Sequence, residues 1–287
     1  MKTKKKLTYC SIKNYNLSLL KLFCFPLILL LFFACSQEVV SPVTNKSEGD
    51  ESFLKPNDLS GKGKKDDKLQ FAKRWIAFLI WEPDKDVVID EFSTEWTVPE
   101  SPSMQSDQVI YFVSGLTNGS IIQPVLQWGN TKTKIGGGNY WAVAAWDVES
   151  AYGPVQFSPL LKVKPGDVCQ TKIIYNGFDG KFHKYECKVI VNGASQETLY
   201  ISAKNYQNRA VLALEDYNLD NCKKHSASGS FTFRNIVIKG KNIPKIIPWK
   251  KTINPGIICG ENVIIKKATA TESNPGEVQI TFNTKKY

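Results

Sequence analysis

The stretch SIIQPVLQWG (120–129) sets two glutamines into a run that otherwise has the composition of a buried β-strand. Alternation assigns Ile121, Gln123, Val125 and Gln127 to one side and Ile122, Pro124, Leu126 and Trp128 to the other, which is a core face. A glutamine amide offers neutral donors and an acceptor. Gln123 and Gln127 therefore point to water, or into a groove where such a group has work to do. Other reactive side chains are sparse. The only histidines, His183 and His225, stand far apart and without metal-type spacing to the cysteines, so the chain is read as holding no metal and no Ser-His-Asp triad. Nothing calls for a cofactor.

The elements that must carry these residues begin after an unusual N-terminus. A lysine-rich segment leads into an apolar run, Phe23 to Ala34, ending before Cys35. The run is short for a transmembrane span and has the layout of a signal peptide. LFFAC resembles a bacterial lipobox, which implies that residues 1–34 are removed and that Cys35 becomes the lipidated first residue. Ser36 after the cysteine favours the outer membrane over retention in the inner one. Removing residues 1–34 takes away six lysines and no acids, so the formal charge of +10 falls to about +4. The basic balance is a property of the leader, and nucleic acid is not an expected partner. Residues 35–69 are polar, charged and rich in Gly, Ser and Pro, the composition of a solvated tether.

Residues 70–287 read as one β domain. Alternating or apolar runs recur as WIAFLIW (75–81), VVIDEFSTEWTV (87–98), QVIYFVSGL (108–116), YWAVAAWDV (140–148), VCQTKIIY (168–175), KYECKVIVNG (184–193), RAVLALEDY (209–217) and GSFTFRNIVIK (229–239). Turn chemistry such as NGFDG, KPGD and SNPGE punctuates them, and no helical periodicity is sustained. The expected fold is all-β, an antiparallel sandwich or jelly roll. A C-terminal extension from about residue 241 adds a proline-rich loop and two further strands, with Trp249 and Cys259 packing it on the sandwich. In an oxidising envelope, Cys169 and Cys187 fall nearly opposite each other if the hairpin turns at Phe178 and Asp179, so a disulfide is possible. Cys222 and Cys259 would then pair by elimination. Four small buried thiols are the alternative.

Read in order, EWTVPE (95–100), IYFVSGL (110–116), IIQPVLQWG (121–129), YWAVAAW (140–146), VKPGDV (163–168) and ALEDY (213–217) resemble the eqolisin, or glutamic endopeptidase, family over residues 75–240. The resemblance implies a concanavalin A-like sandwich. It also implies catalysis by Gln123 and Glu215, the glutamate as general base toward water and the amide as donor to the developing oxyanion. Gln127, Trp128, Tyr140 and Trp146 are the expected substrate-binding residues. Two departures stand beside it. Aligned on the Glu-Asp-aromatic triplet, the catalytic position becomes Val211, and Ala145 occupies the place of the family's glutamate before Trp146.

Concanavalin A-like sandwiches also host lectins and sugar-cleaving enzymes. Asp90, Glu91 and Glu95, or Glu215 and Asp216, lack the Glu-x-Asp-x-x-Glu order that a retaining glycosidase of this type requires. A carbohydrate- or peptide-binding module and a structural envelope module remain as non-catalytic readings, so polypeptide or glycan is the expected ligand class and enzymatic activity stays open. Lipidation is directly testable: metabolic labelling with a fatty acid should mark the wild type and be lost in Cys35→Ala.

Overall fold

The computed structural model describes residues 75–130, 136–148, 155–254 and 259–285. In chain order its strands are β1 (Trp75–Trp81), β2 (Val88–Thr97), β3 (Val109–Thr117), β4 (Ile121–Asn130), β5 (Gly136–Val148), β6 (Val155–Phe157), β7 (Leu161–Val163) and β8 (Val168–Phe178). They continue as β9 (His183–Val191), β10 (Ser195–Ala203), β11 (Arg209–Tyr217), β12 (Ser230–Lys241), β13 (Lys250–Ile253), β14 (Asn262–Lys267) and β15 (Gly276–Thr281). The only helical element among the described residues is a single 3-10 turn, Cys222–Lys224. Two antiparallel sheets form the sandwich. The first has the order β13-β1-β11-β3-β4-β5-β6, with β7 also on β5; the second has the order β10-β9-β8-β2-β12-β15-β14.

Alternation sends one set of side chains from each sheet into a shared core. Ile110, Phe112 and Leu116 of β3, Ile122, Leu126 and Trp128 of β4, and Leu212 and Leu214 of β11 meet Phe92 and Trp96 of β2 and Phe231 and Phe233 of β12. Phe112 stacks on Phe231 with ring centroids 3.8 Å apart, and Trp96 packs on both Phe231 and Phe233. One polar contact crosses this apolar layer. Thr94 Oγ1 on β2 lies 3.0 Å from Ser114 Oγ on β3 and 2.8 Å from Thr171 Oγ1 on β8, so the three hydroxyls satisfy one another. At the β9–β10 turn, Asn192 and Gly193 both take positive φ and the Ala194 N–H returns to the Val191 carbonyl, the conformation that Asn-Gly favours.

The cysteines depart from the expected hairpin. Across β8 and β9, Cys169 pairs with Val191 and Cys187 with Ile173. The chain turns later than Phe178, around Gly180 with its positive φ, which shifts the register and moves the two thiols well apart. Both are free and buried in the core. Burial pushes the Cys169 thiol up to about 12 and raises that of Cys187 further. Cys222 and Cys259 do form a disulfide, with Cα atoms 5.4 Å apart.

The C-terminal extension joins both sheets. β13 pairs with β1 at the edge of the first sheet, while β15 pairs with β12 and carries β14 at the edge of the second. Trp249 and Cys259 are buried against the body. The short strands β6, β7 and β13 were not expected from sequence. Two measurements check the cysteine assignment. Iodoacetamide on the native protein should leave Cys169 and Cys187 unmodified. Replacing the disulfide, whose cysteines lie 37 residues apart, by Cys222→Ala and Cys259→Ala should cost about 2–4 kcal/mol in denaturant unfolding.

Candidate functional site

The face of the first sheet turned away from the shared core carries the sequence-selected polar residues. Its apolar floor is Phe78, Val109, Tyr111, Val113, Val125, Ala144, Trp146, Val148, Val155, Val211 and Ala213, all buried. Register arranges these side chains in rows across the strands. In one row Trp146 of β5 faces Gln123 of β4, and Val211 of β11 faces Gly115 of β3. A Cβ on Gly115 would lie 3.2 Å from Gln123 Cβ and 3.3 Å from Val211 Cγ1, so the glycine is the space between glutamine and valine. The next row runs Ala144, Val125, Val113, Ala213, Phe78, and the third Ala142, Gln127, Tyr111, Glu215, Trp75.

Gln123 and Glu215 therefore share a face but not a row. Four residues along the strands and two strands across separate their backbones by about 16 Å. The residue that register places beside Gln123 is Val211. Glu215 is buried and accepts a hydrogen bond from the Tyr217 hydroxyl at 2.5 Å. Tyr111 packs edge-on against both Tyr217 and Trp146, binding the two rows into one aromatic patch. Gln127 is buried in the Glu215 row and donates from Nε2 to the Gly129 carbonyl at 3.0 Å.

Of the expected binding residues, Trp146 and Gln127 lie on this face. Trp128 does not. It points into the inter-sheet core against Trp141, ring centroids 5.4 Å apart, because it is one residue out of phase with Gln127. Tyr140 stands beyond the rows, partly exposed, with Lys162 Nζ 4.3 Å from its ring centre. Cys35 lies outside the described residues.

A second polar group was missed. His225 is wholly buried, its Nδ1 3.2 Å from Asp216 Oδ2 and its Nε2 3.0 Å from Glu261 Oε1. The Cys259 amide donates to Glu261 Oε2, and the imidazole stacks on Phe282 with centroids 4.4 Å apart. Burial pushes the Asp216 carboxyl up to about 7. Burial would raise Glu261 as well, but the hydrogen bonds from His225 and from backbone N–H groups hold it below the usual carboxylate range. The ligating atoms of His225, Cys259 and Glu261 lie within 4.8 Å of one another. The sequence reading, which found no metal-type spacing between the histidines and the cysteines, did not bring these three residues together. Cys222-x-x-His225 and Cys259-x-Glu261 are both legible, but their convergence depends on the tertiary fold.

No known protein family matches the chain, and no curated protein matches it. Among solved structures it is similar to Scytalido-glutamic peptidase bound to a peptide-based transition-state analog, at 13% identity and a TM-score of 0.47, covering 73% of this chain and 98% of that one. It is similar also to SCP-B, a member of the eqolisin family of peptidases in complex with the tripeptide Ala-Ile-His, at 13% identity and a TM-score of 0.46, with the same coverage. The alginate lyase Aly36B matches at 9% identity and a TM-score of 0.25, covering 73% of this chain and 68% of that one.

The row through Gly115 gives a direct check of this packing. The added methyl of Gly115→Ala would also lie 3.0 Å from the Ile122 carbonyl oxygen, a backbone atom with little freedom to move. Gly115→Ala should lower the unfolding free energy by about 1–3 kcal/mol in a denaturant titration.

Proposed function

We propose that this chain is an envelope lipoprotein, held at the outer membrane through Cys35, whose glutamic-peptidase-like sandwich binds extended polypeptide on the outer face of the first sheet without cleaving it. The observation that carries this reading is the row Gln123, Gly115, Val211. A glutamine amide can donate to an oxyanion, but valine takes no proton from water, and general-base chemistry needs a group within hydrogen-bond reach of the water. Glu215 lies two rows away, with its carboxylate hydrogen-bonded to Tyr217. At that separation one water cannot serve both Gln123 and Glu215.

What the face retains suits recognition. An apolar and aromatic floor with a few convergent polar groups is the usual makeup of a ligand site. The Gln123 amide has a donor and an acceptor that match peptide groups, and Gln127, already bonded to the Gly129 carbonyl, adds polar character to the floor beside it. Tyr111 packs edge to face on both Tyr217 and Trp146; these rings do not lie in one plane as a platform for sugar stacking, which favours polypeptide over glycan.

The test uses the mature chain in detergent. Incubated with denatured protein from about pH 3 to 7, where a glutamate base and a protonated leaving amine would be compatible, it should release no new termini. It should bind immobilised unfolded polypeptide, and Gln123→Ala should weaken that binding about 2- to 10-fold, the worth of one hydrogen bond. Cleavage abolished by Glu215→Gln would restore the peptidase reading, and retention on glycans alone would replace polypeptide by carbohydrate.

A further inference from the structure

We propose that Cys222, Cys259, His225 and Glu261 form a transition-metal site, suited to zinc, when the Cys222–Cys259 disulfide is reduced. The four residues supply two sulfurs, one imidazole nitrogen and one carboxylate oxygen, the donor types that tetrahedral zinc takes. They arrive in two short units. Cys222-x-x-His225 lies on the 3-10 turn after β11, and Cys259-x-Glu261 lies on the segment leading into β14. All four are at most 3% exposed. The His225, Cys259 and Glu261 ligating atoms already lie within 4.8 Å of one another, and the disulfide places Cys222 Sγ against Cys259 Sγ.

A second observation comes from beyond the four ligands. His225 Nδ1 faces Asp216 Oδ2 at 3.2 Å. On the ring's other side Nε2 is hydrogen-bonded to Glu261 Oε1 at 3.0 Å, on the side of Cys259, so a metal bound there would take the place of the proton between them. Metal-ligating histidines have a carboxylate near the far ring nitrogen, and Asp216 stands at that position. The apolar wall is present too, since Phe282 covers one face of the ring.

The chemistry balances as follows. A dithiol reductant gives two electrons and two protons to the disulfide, so the S–S bond breaks, two thiols form, and the reductant leaves as its own cyclic disulfide. A zinc ion then displaces both thiol protons to solvent and is bound by two thiolates, His225 Nε2 and Glu261 Oε1. With Zn–S bonds near 2.3 Å, tetrahedral geometry holds two sulfurs about 3.8 Å apart, so opening the disulfide makes the space that the ion fills. Oxidised or zinc-loaded, the same two segments stay joined.

Cobalt(II) is the probe. The mature chain, reduced with a dithiol and freed of it under anaerobic conditions, should bind one cobalt per chain with a sulfur-to-cobalt charge-transfer band and the visible bands of tetrahedral cobalt. Zinc should displace it, and the oxidised chain should give neither signal. Cys222→Ser with Cys259→Ser supplies the background from the remaining cysteines. Asp216→Asn should weaken zinc binding about tenfold while leaving the cobalt spectrum tetrahedral. A reduced wild type that keeps its strand-type circular dichroism but shows no cobalt band above that background overturns the proposal. If reduction unfolds the chain, zinc should restore the strand signal; failure to do so overturns it equally.

Discussion

The register of β3 between β4 and β11 is the constraint on which the rest of the molecule depends. β3 is buried on both faces, with Tyr111 and Val113 in the outer patch and Ile110, Phe112 and Leu116 in the shared core. A slip of one residue would exchange these sets, so the register is strongly specified. Contacts to the second sheet fix it further. Phe112 is held by its stack on Phe231, and Ser114 by the hydroxyl of Thr94. Once those positions are set, Gly115 must face outward between Gln123 and Val211, and Tyr111 must stand between Gln127 and Glu215. The chemistry available on the outer face is therefore decided inside the sandwich.

The same alternation divides the end of β11 between two tasks. Glu215 goes outward to Tyr217, and the next residue, Asp216, goes inward to His225. Burying Asp216, His225 and Glu261 together costs several kcal/mol per ionised group before their mutual contacts are counted. Those contacts tie the end of β11 to the turn at Cys222–Lys224 and to the segment before β14. The disulfide joins the same two segments covalently. The C-terminal extension is thus attached by strand pairing at both sheet edges and by this polar junction at one end of the sandwich.

Long strands were legible because alternation over nine or more residues leaves little ambiguity; β11 runs over the whole of the segment read for it, and so does the wholly apolar β1. β6, β7 and β13, of three or four residues, are too short to show a period and form only as edge partners of longer strands. Within the site, alternation correctly placed Gln123, Gln127 and Glu215 on outward faces. It also placed Trp128 inward, and the structure follows alternation over the expectation that Trp128 binds ligand. Which outward residues meet could not be read, because that requires the register of β3 on β11 as well as that of β4 on β3; the Asn118-Gly119 turn carries the second, but β3 and β11 lie far apart in the chain and nothing in the sequence states how they align. The cysteine hairpin failed for the same reason, its register displaced by a turn centred nearer Gly180 than Phe178.

Position 211 sets the character of the Gln123 row. The side chain there is wholly buried, beside Gly115 in one direction and Ile80 in the other. An ionised carboxylate at such a place loses its hydration and is tolerated only when donors repay the loss. Gln123 can provide one, but Gly115 and Ile80 offer no side-chain donor. Valine at this position carries no such cost and adds apolar contact to the row. Glu215 is held on the same face under different terms, because Tyr217 on its own strand donates to it directly. On the outer face, then, Glu215 and Gln127 are each tied by a hydrogen bond to a group on their own strand, which fixes where their polar atoms stand.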